Sequence, residues 1–330
     1  MKEPVLVSIA IPTFNRLDYL KEAVASALAQ TYERVEVLIG DDGREEAIRA
    51  WGEEIARRDA RVRYRRNPYN LGLAGNWNAL ADAARGEFLV IIGDDDRLLP
   101  EFVETLIDVI QSTAAQVAFS NHYLIDDQGS RLEALSRQCT ERYRRDQLPA
   151  GEVRDAALCV WQNSVPMSAA LMRRREIQRL RFKEDLNTPE IELFARLAQE
   201  SGRFAFTPAY LSEYRTHTRS ATTKGLQSER LVKYLAAIPV SRAVEPYKRE
   251  LMSGLLVDAV SRCLQQNERD LARQFLRHEY YPQTLLSRTK RQNGDAGLTF
   301  TGYAQQLCAS LPAPLGCRAY RLMQRIKRAR

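Results

Sequence analysis

The chain has 330 residues, of which 45% are hydrophobic, 28% charged and 8% aromatic. This is the composition of a globular protein, and it excludes collagen-like, coiled-coil and disordered chains. The formal net charge is +7, and residues 296–330 contribute six basic residues and no acidic one. Subtracting that +6 leaves +1 for the rest of the chain, so no nucleic-acid-binding surface is expected.

The cysteines and the apolar runs indicate the cellular compartment. The five cysteines are widely separated and form no Cys-x-x-Cys or Cys/His spacing. Neither a disulfide framework nor a structural zinc site is therefore expected, and a reducing compartment fits this usage. The first residues do not resemble a signal peptide, and no apolar run approaches the ~18 residues of a membrane span. We predict a cytoplasmic protein.

Strand and helix patterns alternate over the first 125 residues. Short apolar runs predict strands at 5–11, 35–39, 62–64, 88–92 and 115–119. Apolar residues spaced by three and four predict helices at 17–29, 47–58, 76–84 and 100–110. The alternation predicts an α/β fold with a largely parallel sheet and helices on both faces. The loops after the strands then share one edge of the sheet, where ligands of such folds bind.

The pattern is less regular beyond residue 125. The polar stretch 126–155 predicts loop or irregular structure, and its arginines at 142–145 are expected to face solvent. A helix at about 189–200 and short strands at 204–206 and 210–214 follow. Later helices are predicted at 231–237, 248–265 and 268–277. We therefore predict a boundary near residue 225 between an α/β domain and a helical C-terminal region, 226–330.

Two strands of the same predicted edge end in acidic residues. Asp41-Asp42 follow the second strand, and Asp94-Asp95-Asp96 follow the fourth. Grouped carboxylates repel one another unless a cation or hydrogen-bond donors neutralise them. Mg²⁺ and Mn²⁺ prefer oxygen ligands and bind carboxylates together with phosphate oxygens. The clusters indicate a metal–phosphate site, although aspartates also commonly cap strand ends and helix starts.

A series of motifs in this order resembles the family 2 glycosyltransferases, which have the GT-A fold. The motifs are VSIAIPTFNR at 7–16, ALAQTY at 27–32, VLIGDDG at 37–43, NLG at 70–72, GEF at 86–88 and GDDD at 93–96. The resemblance implies a Rossmann-like GT-A domain over 1–225, with a nucleotide-sugar half at about 1–125 and an acceptor half at about 126–225. It also implies an inverting hexosyl- or deoxyhexosyltransferase that uses a nucleotide-sugar donor.

The resemblance also implies the donor-binding residues. The loop after the first strand and the first acid pair would hold the base and the ribose, with Asp42 favoured for the base edge. These residues are Pro12, Thr13, Asn15, Asp41 and Asp42. Asn76, Asp94 and Arg215 complete the set, with Asp94 as the ribose contact because Gly93 stands where the family often has its first acid.

The same resemblance implies a divalent metal, Mg²⁺ or Mn²⁺, at the second acid cluster. Asp95 falls on the metal-binding acid of the DxD-like motif, and Asp96 lies beside it. His217, in the segment Tyr-Arg-Thr-His at 214–217, is the third candidate ligand. A histidine in a loop is also commonly only solvated, so this interpretation depends on the register of the motif.

The general base is expected at the start of the helix near residue 190. In the resembled family this residue opens a helix with the pattern acid-x-x-Leu-x-x-Arg-Leu, which here is EIELFARL at 190–197. Glu190 is therefore the predicted base, and Asp185 is the second candidate. The alternative is that Glu190 is only a first-turn acid that complements the helix dipole.

The C-terminal segment predicts a membrane contact. Apolar residues at helical spacing, Leu315, Ala319, Leu322, Met323 and Ile326, alternate with the six basic residues. This is typical of a short amphipathic helix that binds anionic membranes peripherally, here on the cytoplasmic face. A charged, frayed terminus is the alternative. A membrane contact suits a lipid-linked saccharide acceptor in surface-polysaccharide or O-antigen synthesis, the setting that the resemblance implies.

The sequence is also compatible with two other functions. A nucleotidyltransferase that forms the nucleotide sugar would share the sheet and the acids, but it would need a glycine-rich loop with a basic residue near the N-terminus. The segment IPTFNR at 11–16 contains no glycine. A non-catalytic scaffold that keeps the GT-A fold is the second alternative.

Overall fold

The computed structural model describes residues 4–200, 202–217 and 227–282. The chain divides into two compact units, Met1–Leu226 and Gln227–Arg330. The described strands of the first unit form one nine-stranded sheet. We describe each unit by itself.

One half of the sheet is parallel and has the strand order β3-β2-β1-β4. Its strands are β1 (Val7–Thr13), β2 (Val35–Asp41), β3 (Val62–Arg66) and β4 (Phe88–Ile91). The helices between them are α1 (Leu17–Leu28), α2 (Glu46–Arg58) and α3 (Gly72–Ala83). Successive residues of β1 and β2 are almost all buried, so both faces of these strands are covered.

The other half of the sheet is mixed. Its strands are β5 (Arg97–Leu98), β6 (Val117–Ile125), β7 (Gly151–Glu152), β8 (Ala170–Arg173) and β9 (Phe204–Arg215). Its helices are α4 (Phe102–Thr113), α5 (Glu133–Arg142), α6 (Ala156–Trp161), α7 (Arg174–Leu180) and α8 (Pro189–Glu200). β8 runs antiparallel to β4 and β6, β9 runs parallel to β6, and β5 and β7 pair antiparallel with β9.

The register of the parallel strands positions the candidate site. Thr13 at the end of β1 is paired with Asp41 at the end of β2, and Ala10 is paired with Ile91 at the end of β4. The segments that follow these three strands therefore leave the sheet side by side. Both predicted acid clusters lie at this shared edge, as expected for parallel strands joined by crossovers.

The prediction of irregular structure at 126–155 is wrong, because α5 and β7 lie within it. The buried residues of α5 are Ser136 and Thr140, so the packed face of this helix is polar and shows no apolar period. Ser136 Oγ donates to the carbonyl of Leu132 and accepts from the backbone N–H of Leu124. Arg145 was expected to face solvent but is 2% exposed.

The two short strands predicted at 204–206 and 210–214 are parts of one strand, β9. The pairing register between β6 and β9 shifts at Ser120/Asn121 and Asn121/His122. The first shift skips Pro208 and Ala209, and the second skips Leu211, so the apolar alternation is interrupted in the middle of the strand. The shift explains why the sequence pattern divides one strand into two.

The second unit is helical in its described part. Its helices are α9 (Ser228–Ala236), α10 (Glu245–Gln266) and α11 (Arg269–Leu276), and α10 packs against both of the others. Lys248 is buried and donates to the carbonyls of Ala236 and Ile238 at the end of α9. In the described ranges of the chain, no helix is both long and apolar enough to cross a bilayer. The predicted amphipathic helix at 315–326 lies outside those ranges.

Candidate functional site

The segment 94–96, which we call the acidic turn, is held by the loop after β1. Asp94 Oδ2 accepts from Thr13 Oγ1 at 2.7 Å and from the backbone N–H of Phe14 at 3.2 Å. Asp94 Oδ1 accepts from Arg16 Nη1 at 3.2 Å. Burial, reinforced by the neighbouring Asp95 carboxylate, raises the pKa of Asp94 to about 6. The two predicted donor-binding residues Thr13 and Asp94 are therefore in direct contact.

Asp95 lies between two basic side chains. Its Oδ2 atom accepts from Arg16 Nη1 at 2.6 Å and lies 2.8 Å from His217 Nε2. The side chains of Asp95 and His217 are 14% and 5% exposed. The imidazole ring of His217 also packs near the ring of Tyr19, with centroids 5.4 Å apart. The structure thus brings together two of the three predicted metal ligands.

Asp96, the other predicted ligand, is buried inside the turn. Its Oδ1 atom accepts from the backbone N–H of Arg215 at 3.0 Å, and its own N–H donates to the carbonyl of Gly93. Burial, together with the charge of Asp95, raises the pKa of Asp96 well above its usual range. The turn and the end of β9 are therefore joined through Asp96.

Arg215 is one of the predicted donor-binding residues, and its side chain is only 1% exposed. Nε donates to the carbonyl of Asp95 at 2.8 Å, and Nη2 donates to Glu22 Oε2 at 2.6 Å. Nη1 donates to the carbonyl of Asp127 at 3.0 Å, and the guanidinium lies 4.6 Å from the centre of the Tyr19 ring. In this geometry Arg215 positions the acidic turn from behind.

Asp41, in the first acid pair, is fully buried. Its Oδ2 atom accepts from Tyr64 Oη at 2.6 Å and from Arg66 Nε at 2.8 Å, and its Oδ1 atom accepts from the backbone N–H of Gly43. Burial and the contact with Asp41 raise the pKa of Tyr64. Both oxygens of Asp41 thus bind the protein itself and join the ends of β2 and β3.

Asp42 organises the start of α3. Its Oδ1 atom accepts from Asn67 Nδ2 and from the backbone N–H of Leu71, and its Oδ2 atom accepts from the backbone N–H of Gly72. Asn67 Nδ2 also donates to Asn76 Oδ1 at 3.0 Å. Asn76 Nδ2 in turn donates to the carbonyl of Gly40, which belongs to β2. Asp42 and Asn76, both predicted donor-binding residues, therefore belong to one buried polar network.

Asn15 connects the loop after β1 to the loop after β2. It adopts a left-handed backbone conformation with φ of 57°, and its Oδ1 atom accepts from the backbone N–H of Arg44. A Cβ atom placed on Gly43 would clash with this same oxygen, so a larger residue at position 43 would force the Asn15 side chain to move. Pro12, one residue before the end of β1, pairs with Gly40. The predicted residues of the two loops are therefore packed together.

The fit of a divalent metal to this edge can be judged from the donor atoms. A carboxylate oxygen and an imidazole nitrogen 2.8 Å apart can turn toward one cation, with phosphate and water oxygens in the remaining positions. In the part of the chain that the structure describes, no group of three or more His, Cys, Asp or Glu is arranged as a metal site. A cation held by Asp95 and His217 would therefore need further oxygen ligands from a bound phosphate group and from water.

Glu190, the predicted base, lies in the first turn of α8. Its Oε2 atom is buried and has no hydrogen-bond partner among the described residues. A small recess around it is lined by Val160, Asn163, Val165, Ile191 and Phe194. Burial raises the pKa of Glu190 to about 7, against a smaller lowering effect of its own backbone N–H. A carboxylate with one unpartnered oxygen in such surroundings accepts a proton near neutral pH.

Asp185, the second candidate for the base, has a different environment. It is exposed and lies in the segment between α7 and α8. The recess of Glu190 contains none of the residues of the acidic turn or of the first acid pair. The structure thus brings the donor-binding and metal candidates together and places the base candidate in its own pocket.

Three residues that contribute to this edge are not among the predicted site residues. Arg16 bridges Asp94 and Asp95, and Asn67 joins Asp42 to Asn76. Phe14 is 52% exposed although its backbone N–H binds Asp94. Arg16 and Phe14 stand in the motif PTFNR, which is the signal that could have identified them. Asn67 lies outside every motif.

Comparison with known sequences gives relatives in bacterial glycosyl transfer. The chain is 31% identical to the glycosyltransferase GlyG of Streptococcus pneumoniae over 122 residues, which is 37% of this chain and 40% of GlyG. It is 25% identical over 244 residues to the GalNAc(5)-diNAcBac-PP-undecaprenol beta-1,3-glucosyltransferase of Campylobacter jejuni, covering 72% of this chain and 74% of that enzyme.

Comparison with solved structures gives the fold. TarS 1-349 of S. aureus in complex with UDP-GlcNAc matches 93% of this chain and 82% of its own, with a TM-score of 0.58 and 12% identity. The mannosyltransferase PcManGT of Pyrobaculum calidifontis, in complex with GDP-Man and Mn2+, matches 97% of this chain and 87% of its own, with a TM-score of 0.56 and 16% identity. The predicted GT-A fold class is confirmed.

The sequence motifs and the arrangement of the acidic turn agree with one family assignment. Residues 8–179, more than half of the chain, match the model of glycosyl transferase family 2. That segment contains the parallel half of the sheet, both acid clusters and the loop that holds them. The prediction of a family 2 glycosyltransferase is confirmed, and this chain belongs to glycosyl transferase family 2.

Proposed function

We propose that the protein is an inverting, metal-dependent glycosyltransferase that moves a sugar from a nucleotide-diphosphate sugar to a hydroxyl of a saccharide acceptor. Residues 1–125 form the nucleotide-sugar half of this proposed site, and residues 126–225 form the acceptor half. The helical region 226–330 is assigned as a separate domain. Family membership supports the reaction class, and TarS and PcManGT, which share the fold, form complexes with nucleotide sugars.

The observation that carries the proposal is the buried, unpartnered Oε2 atom of Glu190. A buried carboxylate normally has a hydrogen-bond partner, because an unsatisfied one costs free energy. An acceptor hydroxyl provides the missing donor. With a pKa raised to about 7, Glu190 is deprotonated in part of the population at neutral pH and can accept the proton of that hydroxyl.

The proposed reaction is a single displacement. Glu190 Oε2 takes the proton from the acceptor hydroxyl while the hydroxyl oxygen forms a bond to the anomeric carbon of the donor. The bond between that carbon and the diphosphate oxygen breaks, and its electron pair leaves with the nucleoside diphosphate. Direct displacement by one nucleophile inverts the anomeric configuration. The apolar lining of the recess, with Val160, Val165 and Phe194, excludes competing water.

Asp95 and His217 are the proposed protein ligands of a divalent metal. When bound, the metal neutralises the charge that builds up on the diphosphate. The imidazole favours a first-row transition metal such as Mn²⁺ over Mg²⁺. Asp94 and Thr13 then orient the ribose side of the donor, and Asp42 with its network fixes the loop beside the base. The exposed ring of Phe14 offers a flat apolar surface to that base.

We propose a lipid-linked saccharide as the acceptor, in the synthesis of a cell-surface polysaccharide such as O-antigen. The Campylobacter jejuni relative is named for a saccharide on undecaprenyl diphosphate, and a relative in Escherichia coli is named for a diphosphoundecaprenol acceptor. Such an acceptor lies at the membrane surface. A cytoplasmic protein held there by its basic C-terminal segment would meet the acceptor directly.

The proposal is tested by Glu190→Gln, which keeps the shape of the side chain and removes its basicity. We expect transfer to fall at least a hundredfold, while calorimetric affinity for nucleoside diphosphate with Mn²⁺ stays within about twofold. The products are analysed with a panel of UDP-, GDP- and dTDP-sugars. Release of nucleoside diphosphate would support a glycosyltransferase, whereas release of pyrophosphate would indicate a nucleotidyltransferase.

Asp185→Asn is the matched control, because it removes a carboxylate from the same region of the chain. It should keep transfer within about threefold of the unchanged protein. Transfer that survives Glu190→Gln within about tenfold, a change of ~1.4 kcal/mol, would reject Glu190 as the base. Binding without turnover of any donor would favour the scaffold alternative.

A further inference from the structure

Arg16 occupies an unusual place for a basic side chain. It follows the loop after β1 and stands at the N-terminal boundary of α1. Its Nη1 atom lies 2.6 Å from Asp95 Oδ2 and 3.2 Å from Asp94 Oδ1, so one guanidinium group bridges both carboxylates. The side chain of Arg16 is 24% exposed, so it lies at the open side of the acidic turn, whereas Arg215 lies behind it.

The oxygen that Arg16 contacts is the one that a metal would need. Asp95 Oδ2 is also the atom nearest to His217 Nε2, at 2.8 Å. A cation bound between this oxygen and the imidazole nitrogen has to replace one of the two neighbours. His217 can stay, because a neutral imidazole can turn its lone pair toward a metal. Arg16 cannot, because a guanidinium stays charged and has no lone pair to offer.

We infer that Arg16 is a built-in counter-cation of the metal-binding carboxylate, which a divalent metal must displace, so that Arg16 keeps metal affinity low until the donor is bound. The inference rests on the proposed function, because it needs Asp95 as a metal ligand. Arg16 is thus a positioning residue that acts through Asp95 and sets the order in which metal and donor bind.

The charges around the turn explain why the donor would relieve this competition. Without a donor, the guanidinium of Arg16 places a positive charge against Asp94 and Asp95, two of the three aspartates of the turn. A diphosphate brings new negative charge to the same edge and gives the released guanidinium a partner that matches its planar fork. Metal and nucleoside diphosphate should therefore each raise the affinity of the protein for the other by the same factor.

The test measures Mn²⁺ binding directly, by the electron paramagnetic resonance signal of free Mn²⁺, with and without UDP. For Arg16→Ala we expect at least about tenfold tighter binding of Mn²⁺ alone, and a correspondingly smaller increase in Mn²⁺ affinity when UDP is added. Arg16→Lys keeps a cation in the same loop and should stay within about threefold of the unchanged protein. Circular dichroism establishes that each variant is folded.

Arg44→Ala is the matched control, because it removes one positive charge from the neighbouring loop. Arg44 donates to the carbonyls of Gly43 and Asn67 and to neither Asp94 nor Asp95. A purely general effect of charge would change Mn²⁺ affinity equally in Arg44→Ala and Arg16→Ala. Equal changes would overturn the inference.

Asp95→Asn separates failure of this inference from failure of the proposed function. If Asp95→Asn abolishes Mn²⁺ binding while Arg16→Ala leaves it unchanged or weaker, the counter-cation role is rejected and the metal site stands. If Mn²⁺ binding survives Asp95→Asn in the Arg16→Ala background, both assignments are rejected. Absence of measurable Mn²⁺ binding to Arg16→Ala without UDP also rejects the counter-cation role.

Discussion

Glu190 and the aspartates of the acidic turn differ in the hydrogen bonds that their buried carboxylate oxygens accept. Asp94 and Asp96 accept hydrogen bonds from backbone or side-chain donors, whereas Glu190 Oε2 has no partner among the described residues. Native structures satisfy most buried polar atoms, and exceptions commonly mark functional positions. The presence or absence of a hydrogen-bond partner therefore distinguishes the base candidate Glu190 from Asp94 and Asp96. Sequence spacing does not make this distinction as clearly.

The pH dependence of transfer follows from the raised pKa of Glu190. A base must be deprotonated to accept a proton, so kcat/KM should fall as pH drops through about 7, by close to tenfold per pH unit at lower pH. The measurement is kcat/KM for the acceptor between pH 5.5 and 8.5. Affinity for UDP with Mn²⁺ is followed over the same range, because loss of metal at low pH would imitate the effect. A flat profile after that correction would contradict the assignment.

The sequence located the acids of the site and some of the groups that contact them, such as Thr13 and His217, but it missed others, such as Arg16 and Asn67. Aspartates after apolar strands are a local pattern, so Asp42, Asp94 and Asp95 could be selected from spacing and resemblance. Their partners come from other parts of the chain: Asn67 lies 25 residues from Asp42, and His217 lies 122 residues from Asp95. The buried position of Arg215 behind the turn also required the three-dimensional structure, because a charged residue in a YRTH motif is equally compatible with an exposed role.

At the scale of secondary structure, an ion pair between Glu192 and Arg196 in the middle of α8 links this helix to the end of α7. Arg196 donates to Glu192 through Nε and Nη2 and to the carbonyls of Leu180 and Arg181 at the end of α7. The side chain of Glu192 is only 3% exposed. This arrangement joins α7 to α8 and so sets the direction in which α8 presents Glu190.

We predict that Arg196→Met destabilises the protein by about 3–5 kcal/mol, because it leaves the buried Glu192 charge unpaired. The measurement is the free energy of unfolding in urea. The double variant Glu192→Leu/Arg196→Met should recover a large part of the loss, since it removes both charges from the interior. If the single and double variants are equally unstable, the lost contacts to the carbonyls of Leu180 and Arg181 dominate instead.

Regular elements were easier to predict than elements with polar packing. The parallel half of the sheet has near-continuous apolar strands, and its predicted boundaries differ from the observed ones by only a few residues. α5 was missed because its buried face is formed by Ser136 and Thr140. β9 was divided in two because the register shift against β6 interrupts its apolar pattern. Both errors arise where hydrogen bonds, and not apolar periodicity, determine the structure.

At the scale of the whole molecule, positive charge is unevenly distributed along the chain. Six of the basic residues lie in a segment without acids at 296–330. This segment lies outside the described residues, so its amphipathic helix stays a prediction. The predicted domain boundary near residue 225 also stays a prediction. The structure divides into the units Met1–Leu226 and Gln227–Arg330.

Deleting residues 312–330 should lower binding to anionic vesicles at least fivefold, because each basic residue near such a surface contributes roughly 1 kcal/mol. The measurement is cosedimentation with vesicles of phosphatidylglycerol and phosphatidylcholine, with pure phosphatidylcholine as the control. Donor affinity in solution should be unchanged by the deletion. Undiminished sedimentation of the shortened protein would show that the segment does not mediate attachment.

The contact between Asn15 and Gly43 has a consequence for changing the donor that the protein accepts. Because the Asn15 side chain fills the space where any Cβ at position 43 would lie, the loops after β1 and β2 are shaped to each other. Grafting only one of them from a relative that uses a different nucleotide would disturb this contact. A working chimera has to exchange both loops together, as a single cassette.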